Sequence, residues 1–224
     1  MMKIGIEVNG VLRDTIEKFR QIYEKHMIEE ISDESYTEPS VYELDESGNT
    51  EEISIEENFK YEILSEVNSL NLIDHFSFKS HDEYFAFLYE EFPMHIFGHA
   101  PSTEMTTFND FNNFYTENRD EHDIIVISDE MGKSKPATLF FLSKFGCLVE
   151  NIIFYNSVTK DKVLSNFDLI VTSNPEIIIN YSNSVKVIKY KTNYNKQVDA
   201  EFSIQSLKEL DETIKKISNV KIIQ

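Results

Sequence analysis

The feature of this sequence that most restricts its fold is a series of short apolar runs that alternate with segments of helical spacing. The runs are rich in Ile and Val and show little polar alternation: Lys3–Val8, Asp123–Ser128, Asn151–Asn156, Asp168–Ser173 and Val185–Tyr190. Strands with this pattern are buried on both faces, which is typical of parallel sheets covered by helices on both sides. The sequence therefore predicts an α/β fold with a doubly wound parallel sheet.

Helix signals between these runs support the same prediction. Pro136 is suited to the first turn of a helix, and Gly146 is suited to the position just after its end. A short helix is predicted near Lys160–Ser165. We expect Val185–Tyr190 to be the last strand, followed by a terminal helix over Ile204–Ile217.

The long stretch between the first and second apolar runs has a different composition. Residues 29–66 are polar and rich in acids, with weak strand content around Val41–Leu44 and Glu52–Ile55. Residues 58–115 carry aromatic side chains at helical spacing. The simplest role of these aromatic residues is to form the core of a helical subdomain.

These differences predict a core with one insertion. Residues 1–28 and 116–224 form the core, and residues 29–115 form an inserted, mostly helical cap. A chain of 224 residues is long enough for one large domain that carries such an insertion. With 41% hydrophobic and 12% aromatic residues, it also has enough apolar surface to fold.

The charge balance and the single cysteine exclude several classes of function. The chain has 21 Lys and Arg against 40 Asp and Glu, a formal net charge of −19. Such a charge repels phosphate backbones and anionic lipid, so we expect neither direct nucleic-acid binding nor membrane binding. Cys147 alone cannot form an internal disulfide or a cysteine zinc site. Glu7 and Asn9 break the first apolar run, so we expect no signal peptide and a cytoplasmic protein.

Polar side chains stand where the apolar runs end, which is where open parallel sheets bind ligands. They are Glu7, Asn9, Ser128, Lys133, Lys135, Thr172 and Ser173. Their order and spacing resemble the haloacid dehalogenase (HAD) superfamily of phosphotransferases, and most closely its 5′-nucleotidase-like phosphatases. The resemblance implies a HAD-like Rossmannoid core with a cap inserted after the first motif.

Four stretches carry this resemblance. Ile4–Asp14 resembles the first motif of the family, a hydrophobic strand that ends in Asp-x-Asp-Gly-Val-Leu. Val126–Ser128 resembles the second motif, whose hydroxyl binds the phosphoryl group. Lys133 or Lys135 takes the place of the third-motif lysine. Asp168–Glu176 resembles the fourth motif, where relatives have an Asp-Asp pair before Asn-Pro-Glu.

The residues that depart from the family pattern are those that carry its chemistry. Glu7 replaces the aspartate nucleophile and moves the carboxylate by one methylene, and a displacement near 1 Å can reduce the rate about 100-fold. Asn9 replaces the acid/base aspartate, whose help is worth about 10²–10⁴-fold. Thr172 and Ser173 replace the fourth-motif acids that bind Mg²⁺. From these departures we expect no catalytic residue, metal or cofactor, and we expect Lys135 to pair with Glu7 instead.

Two classes of function remain. In the first, the chain is a catalytically inactive HAD-like protein with a structural or protein-interaction role, whose acidic surface binds a basic partner in a larger assembly. The bias to Asn, Ile, Lys, Phe and Tyr, with only 6 Gly and no Trp, is typical of AT-rich coding. A phage virion component of the neck or tail is therefore the most specific version of this hypothesis.

In the second class, the chain keeps a residual Mg²⁺-dependent, 5′-nucleotidase-like phosphomonoesterase activity. Glu7 is then a displaced nucleophile that holds the metal together with Asp129, and Ser128 and Lys135 hold the phosphate. An intermediate alternative is a pseudoenzyme that binds a phosphorylated ligand without turnover, at an anion site of Ser128, Lys133 and Lys135.

A histidine pair lies outside these motifs. His95 and His99 are separated by a spacing that would bring them together on one helix face, as a metal ion requires. Gly98, Pro93 and Pro101 argue against a helix at this place. We therefore expect no metal site there.

Overall fold

The computed structural model of the chain describes residues 1–30 and 59–220. In that part of the chain six parallel strands form one sheet: β1 (Lys3–Glu7), β2 (Asp123–Asp129), β3 (Ile152–Tyr155), β4 (Leu169–Thr172), β5 (Lys186–Tyr190) and β6 (Phe202–Ile204). Their order across the sheet is β3-β2-β1-β4-β5-β6. The predicted parallel α/β fold is confirmed, whereas the weak strands predicted at Val41–Leu44 and Glu52–Ile55 lie outside the described residues.

Helices connect these strands. The α-helices of the described residues are α1 (Thr15–Tyr23), α2 (His81–Ala86), α3 (Thr107–Asn118), α4 (Ser134–Lys144), α5 (Lys160–Leu164), α6 (Pro175–Tyr181) and α7 (Leu210–Val220). π-Helical turns lie at Glu24–Glu30, Phe87–Glu91 and Met94–Gly98, and 3-10 turns at Leu72–Asp74, Asn193–Asn195 and Leu207–Glu209. Each helix that the structure describes is too short or too polar to span a lipid bilayer.

The C-terminal region differs from the prediction in two ways. Val185–Tyr190, observed as β5, is not the last strand, because β6 follows it and Ile204 belongs to β6. A strand of three residues is too short to give a periodic signal. The terminal helix consequently starts later than Ile204. Ser206 and Glu209 form a reciprocal capping box at the 3-10 turn that leads into α7.

Different helices cover the two faces of the sheet. Ile4 and Val126 belong to a core cluster with side chains of α3, α4 and α7. Ile127 and Ile170 face the other way and pack with side chains of α5 and α6. Successive side chains of a strand point to opposite faces, so both faces need apolar residues. This cover on both sides explains why the apolar runs are continuous.

A third core cluster joins the inserted region to α1 and α4. The Phe19 ring of α1 lies 4.8 Å from the Phe76 ring and 5.5 Å from the Phe87 ring, both in edge-to-face geometry. Ala137 of α4 belongs to the same cluster. Aromatic residues of the insertion such as Phe76 and Phe87 therefore pack as a core, as predicted. The aromatic residues of α3, which the prediction assigned to the same subdomain, pack instead in the core cluster of the sheet. The domain boundaries at residues 28 and 115 stay a prediction.

Gly10 marks a close approach between the loops that leave β1, β4 and β5. Its φ of +76° is a conformation that residues with a Cβ atom rarely adopt. A Cβ atom there would lie 2.0 Å from Tyr194 Oη and 2.1 Å from Ser173 Oγ. The Tyr194 hydroxyl donates to Ser173 Oγ at 2.6 Å, and the Ser173 hydroxyl donates to the Asn9 carbonyl at 3.2 Å. The three loops are therefore in direct contact.

We predict that Gly10→Ala destabilises the protein more than Gly146→Ala does. Gly146 also has a positive φ, of +65°, so each variant carries backbone strain of about 1–2 kcal/mol. No atom lies within 4 Å of a Cβ at position 146, whereas a Cβ at position 10 meets two hydroxyl groups. Urea unfolding measures both losses, and equal losses would contradict the close contact at Gly10.

Candidate functional site

The carboxyl ends of β1, β3 and β4 meet around the carboxylate of Glu7. The Tyr155 hydroxyl, at the end of β3, donates a hydrogen bond to Glu7 Oε1. The Thr172 hydroxyl, at the end of β4, donates a hydrogen bond to Glu7 Oε2. Glu7 is only 3% exposed. Both of its carboxylate oxygens are therefore engaged inside the protein.

Burial raises the pKa of Glu7 from 4.5 to about 7. The hydrogen bonds from Thr172 and Tyr155 act in the opposite direction, as does the positive charge of Lys160. The charge of Asp129 adds to the increase. Loss of hydration is the largest of these effects, because it penalises only the ionised carboxylate. Glu7 consequently gains or loses its proton near neutral pH.

A second set of charges lies beside Glu7. The Lys160 side chain, at the start of α5, is 11% exposed and its Nζ lies 2.7 Å from Glu176 Oε2. Although solvent reaches Asp129, the surrounding protein still desolvates it and raises its pKa to about 6. Lys160 lowers the pKa of Asp129, and Glu130 and Glu176 raise it. Lys160 is therefore a cation that compensates the acids at these strand ends.

A fully buried ion pair occupies the loops next to these strand ends. Arg13 Nη2 pairs with Glu130 Oε1 and donates to Asn9 Oδ1 at 2.6 Å. Arg13 Nη1 donates to Thr138 Oγ1 at 2.5 Å and to the Phe97 carbonyl at 3.0 Å. Neither charged side chain of the pair is exposed. Arg13 thus joins the loop after β1 to the loop after β2, to α4 and to the inserted region.

The other hydroxyl and amide groups at the strand ends also have partners within the fold. The Ser128 hydroxyl donates to Glu130 Oε1 at 2.9 Å. Asn9 Oδ1 accepts a hydrogen bond from the Thr15 hydroxyl at 2.6 Å in addition to the one from Arg13. The structure therefore brings the predicted residues Glu7, Asn9, Ser128, Thr172 and Ser173 to one end of the sheet, where each is bound by another protein group.

Lys133 and Lys135 have other partners. Lys133 Nζ donates to the Glu90 carbonyl at 3.2 Å and lies 3.3 Å from Glu90 Oε2. Lys135 Nζ lies 5.8 Å from the centre of the Phe154 ring. The anion site predicted from Ser128, Lys133 and Lys135 stays a prediction.

The expected ion pair between Lys135 and Glu7 is wrong. The two oxygens of Glu7 are occupied by the hydroxyls of Tyr155 and Thr172. The positive charge that favours the ionised form of Glu7 comes from Lys160, which follows β3 in the chain.

The residues at the strand ends do not fit a Mg²⁺ ion, the metal that the resemblance implies for an active relative. This ion is bound by carboxylate oxygens that are free to coordinate it. Both oxygens of Glu7 accept hydrogen bonds and Glu130 pairs with Arg13, so Asp129 would face a Mg²⁺ ion without a second free carboxylate from these two residues. In residues 1–30 and 59–220, no group of three or more His, Cys, Asp or Glu is placed to hold a metal.

The structure adds His26 to the histidine pair. The ring centres of His26 and His95 are 6.4 Å apart, as are those of His95 and His99. The expectation that proline and glycine exclude a helix here is wrong. Met94–Gly98 forms a π-helical turn, and Pro93 stands just before it, where a missing N–H costs little.

A cleft of about 820 Å³ opens beside Gly10 at the same end of the sheet. Asp14, Glu104 and residues 189–196 line it, whereas Glu7 does not. This cleft therefore lies next to Gly10 and does not reach Glu7.

Sequence reasoning misses Tyr155, Lys160, Glu130 and the role of Arg13. Tyr155 ends the third apolar run, so the rule that selects Glu7 could have found it. Lys160 stands in a short helix and Glu130 in a polar loop, and neither position has a pattern that indicates burial. The residues around Arg13 do not indicate that it is buried. An arginine is buried only where another residue compensates its charge, and that residue is distant in the sequence.

Comparisons with known proteins identify the fold. No protein-family profile matches this sequence, and no curated protein matches it significantly. A crystal structure of a dehalogenase with an intermediate complex matches with a TM-score of 0.51 at 8% identity, over 94% of this chain and 95% of that chain. A haloacid dehalogenase-like hydrolase from Burkholderia xenovorans LB400 matches with a TM-score of 0.55 at 10% identity, over 96% of this chain and 98% of that chain. The chain thus has the α/β fold of haloacid dehalogenase-like hydrolases, while the 5′-nucleotidase branch and the loss of the motifs stay predictions.

We predict that Glu7→Gln removes a pH dependence of stability. The folded state holds the Glu7 proton more tightly than the unfolded state, because the pKa rises from 4.5 to about 7 on folding. The stabilising contribution is complete below about pH 4.5 and is lost as the pH rises through about 7, a loss of about 3 kcal/mol. Urea unfolding of wild type and variant from about pH 5 to pH 9 measures the difference.

Glu91→Gln, which changes an exposed carboxylate, is the matched control and should keep the wild-type pH dependence. If Glu7→Gln follows wild type at every pH, Glu7 is not a buried group that titrates near neutrality.

Proposed function

We propose that this chain is a catalytically inactive protein with a hydrolase fold, whose role is structural or lies in protein–protein interaction. The observation that carries the proposal is the state of Glu7, which is 3% exposed and accepts a hydroxyl hydrogen bond at each oxygen. A carboxylate nucleophile has to present an oxygen to its substrate. Burial and the two hydroxyl partners prevent Glu7 from doing so.

The position for acid/base catalysis supports the same proposal. The amide of Asn9 cannot exchange a proton with a leaving group at ordinary pH, and its oxygen is bound by Arg13 and Thr15. Proton transfer of this kind is worth about 10²–10⁴-fold in rate. Two parts of the mechanism are therefore missing together, and the parts of a coupled mechanism do not act alone.

The charged residues in the loops next to Glu7 also support the proposal. An active site needs space for a substrate and charged or polar groups that are free to interact with it. Here the charges of Arg13 and Glu130 neutralise each other, and the hydroxyls of Ser128 and Thr138 donate further hydrogen bonds to Glu130. These groups serve the folded structure and leave no unmatched charge for a ligand.

The proposed partner is another protein in a larger assembly. A net charge of −19 favours a basic partner, because complementary charge speeds association and opposes wrong pairings. Leu139, Phe140 and Met94 are large apolar side chains that stay exposed and supply contact surface. A virion component of a phage neck or tail is the most specific form of this proposal, and it rests on the amino-acid composition.

The test is an assay for turnover. Wild type and Glu7→Gln are incubated with p-nitrophenyl phosphate and Mg²⁺, and separately with a short 2-haloacid, the substrate class suggested by the fold relatives. We predict that neither protein releases product faster than buffer. Circular dichroism shows that both are folded.

Turnover by wild type that depends on Mg²⁺ and disappears in Glu7→Gln would contradict the proposal and favour a residual phosphomonoesterase. A rise in melting temperature with inorganic phosphate, absent in Lys135→Ala, would favour the pseudoenzyme that binds a phosphorylated ligand.

A further inference from the structure

Strand β3 leaves one edge of the sheet open. Within residues 1–30 and 59–220, β3 pairs with β2 and with no further strand. The carbonyl of Asn151 accepts a hydrogen bond from Val126 of β2, and the carbonyl of Tyr155 accepts one from Glu130, just after β2. Because backbone groups alternate in direction along a strand, the N–H and C=O groups of Ile152 and Phe154 point away from the sheet.

Among the described residues, β3 itself carries neither a charged side chain nor a proline, two of the devices that keep sheet edges from pairing. Proteins protect open edges with charged residues, proline, bulges or very short strands. β3 has the sequence IIFY, whereas β6 at the opposite edge has only three residues. Leu148 and Val158, just before and after β3, are 56% and 88% exposed. The edge is therefore an apolar surface suited to another strand.

The arrangement of these groups fits a second copy of the same chain. Antiparallel pairing about a two-fold axis at Ile153 places Ile152 opposite Phe154 of the second copy, so all the outward N–H and C=O groups of both residues find partners.

The same two-fold axis also brings opposite charges of the two copies together beside β3. Ile152 packs on the core cluster of α3 and α4, and Phe154 points to that face because side chains alternate along the strand. Lys135 Nζ lies 5.8 Å from the Phe154 ring. Since Phe154 faces Ile152 of the second copy, Lys135 approaches that copy's Glu150. Within one copy, Glu150 lies 4.0 Å from Arg119, just after α3, which places it on the side of the sheet that α3 covers.

We propose that β3 is a self-association surface, through which two copies pair edge to edge as antiparallel strands in one continuous sheet. The charge of −19 on each copy opposes association. At physiological ionic strength the Debye length is about 8 Å, so charges remote from the edge are largely screened. The inference goes beyond the proposed function and holds whether or not Glu7 is catalytic.

Sedimentation velocity of the full chain in about 0.15 M NaCl tests the pairing. Wild type is expected to sediment as a dimer. Phe154→Pro is expected to be monomeric, because proline removes an outward N–H and leaves the hydrogen bonds to β2 in place. Ile179→Lys changes an exposed side chain on α6 and should remain dimeric as the matched control.

A charge exchange tests the two-fold axis without altering the strand. Lys135→Glu should weaken dimerisation by about tenfold, and the double variant Lys135→Glu with Glu150→Lys should restore it. Wild type that is monomeric at high micromolar concentration would overturn the proposal. A dimer that persists unchanged in Phe154→Pro or in Lys135→Glu would also overturn it.

Discussion

The buried ion pair between Arg13 and Glu130 is the interaction on which the arrangement of the strand ends depends. Removing two charges from water costs several kcal/mol per ion, and only good geometry with further hydrogen bonds compensates that cost. Glu130 therefore also accepts hydrogen bonds from Ser128 and Thr138, and Arg13 also donates to Asn9. One charge pair thus fixes the loops after β1 and β2 and the first turns of α4.

This requirement explains why polar residues at these strand ends are held by partners from within the fold. Asn9 and Ser128 serve the ion pair, and Glu7 is surrounded by hydroxyl donors that hold it in a buried position. Lys160 balances the acids around it, including Glu176 on the surface. The carboxylates of Glu7 and Glu130 are therefore both held by groups of the protein itself.

Much of the fold could be predicted because it depends on local pattern. Continuous apolar runs give buried parallel strands, and the ends of such strands meet, so Glu7 and Thr172 could be placed together from sequence. The partners could not be predicted in the same way. Arg13 and Glu130 are separated by 117 positions, and nothing local shows that either is buried. Likewise β6 has too few residues to show a period.

The most direct test of this account is a double-mutant cycle on the buried pair, read by urea unfolding. Arg13→Met and Glu130→Leu each leave one buried charge without its partner, and each should cost about 3–5 kcal/mol. The double variant removes both charges, so it should cost far less than the sum of the two single losses. Losses that simply add would show that the two side chains act independently, and they would contradict the central role of this ion pair.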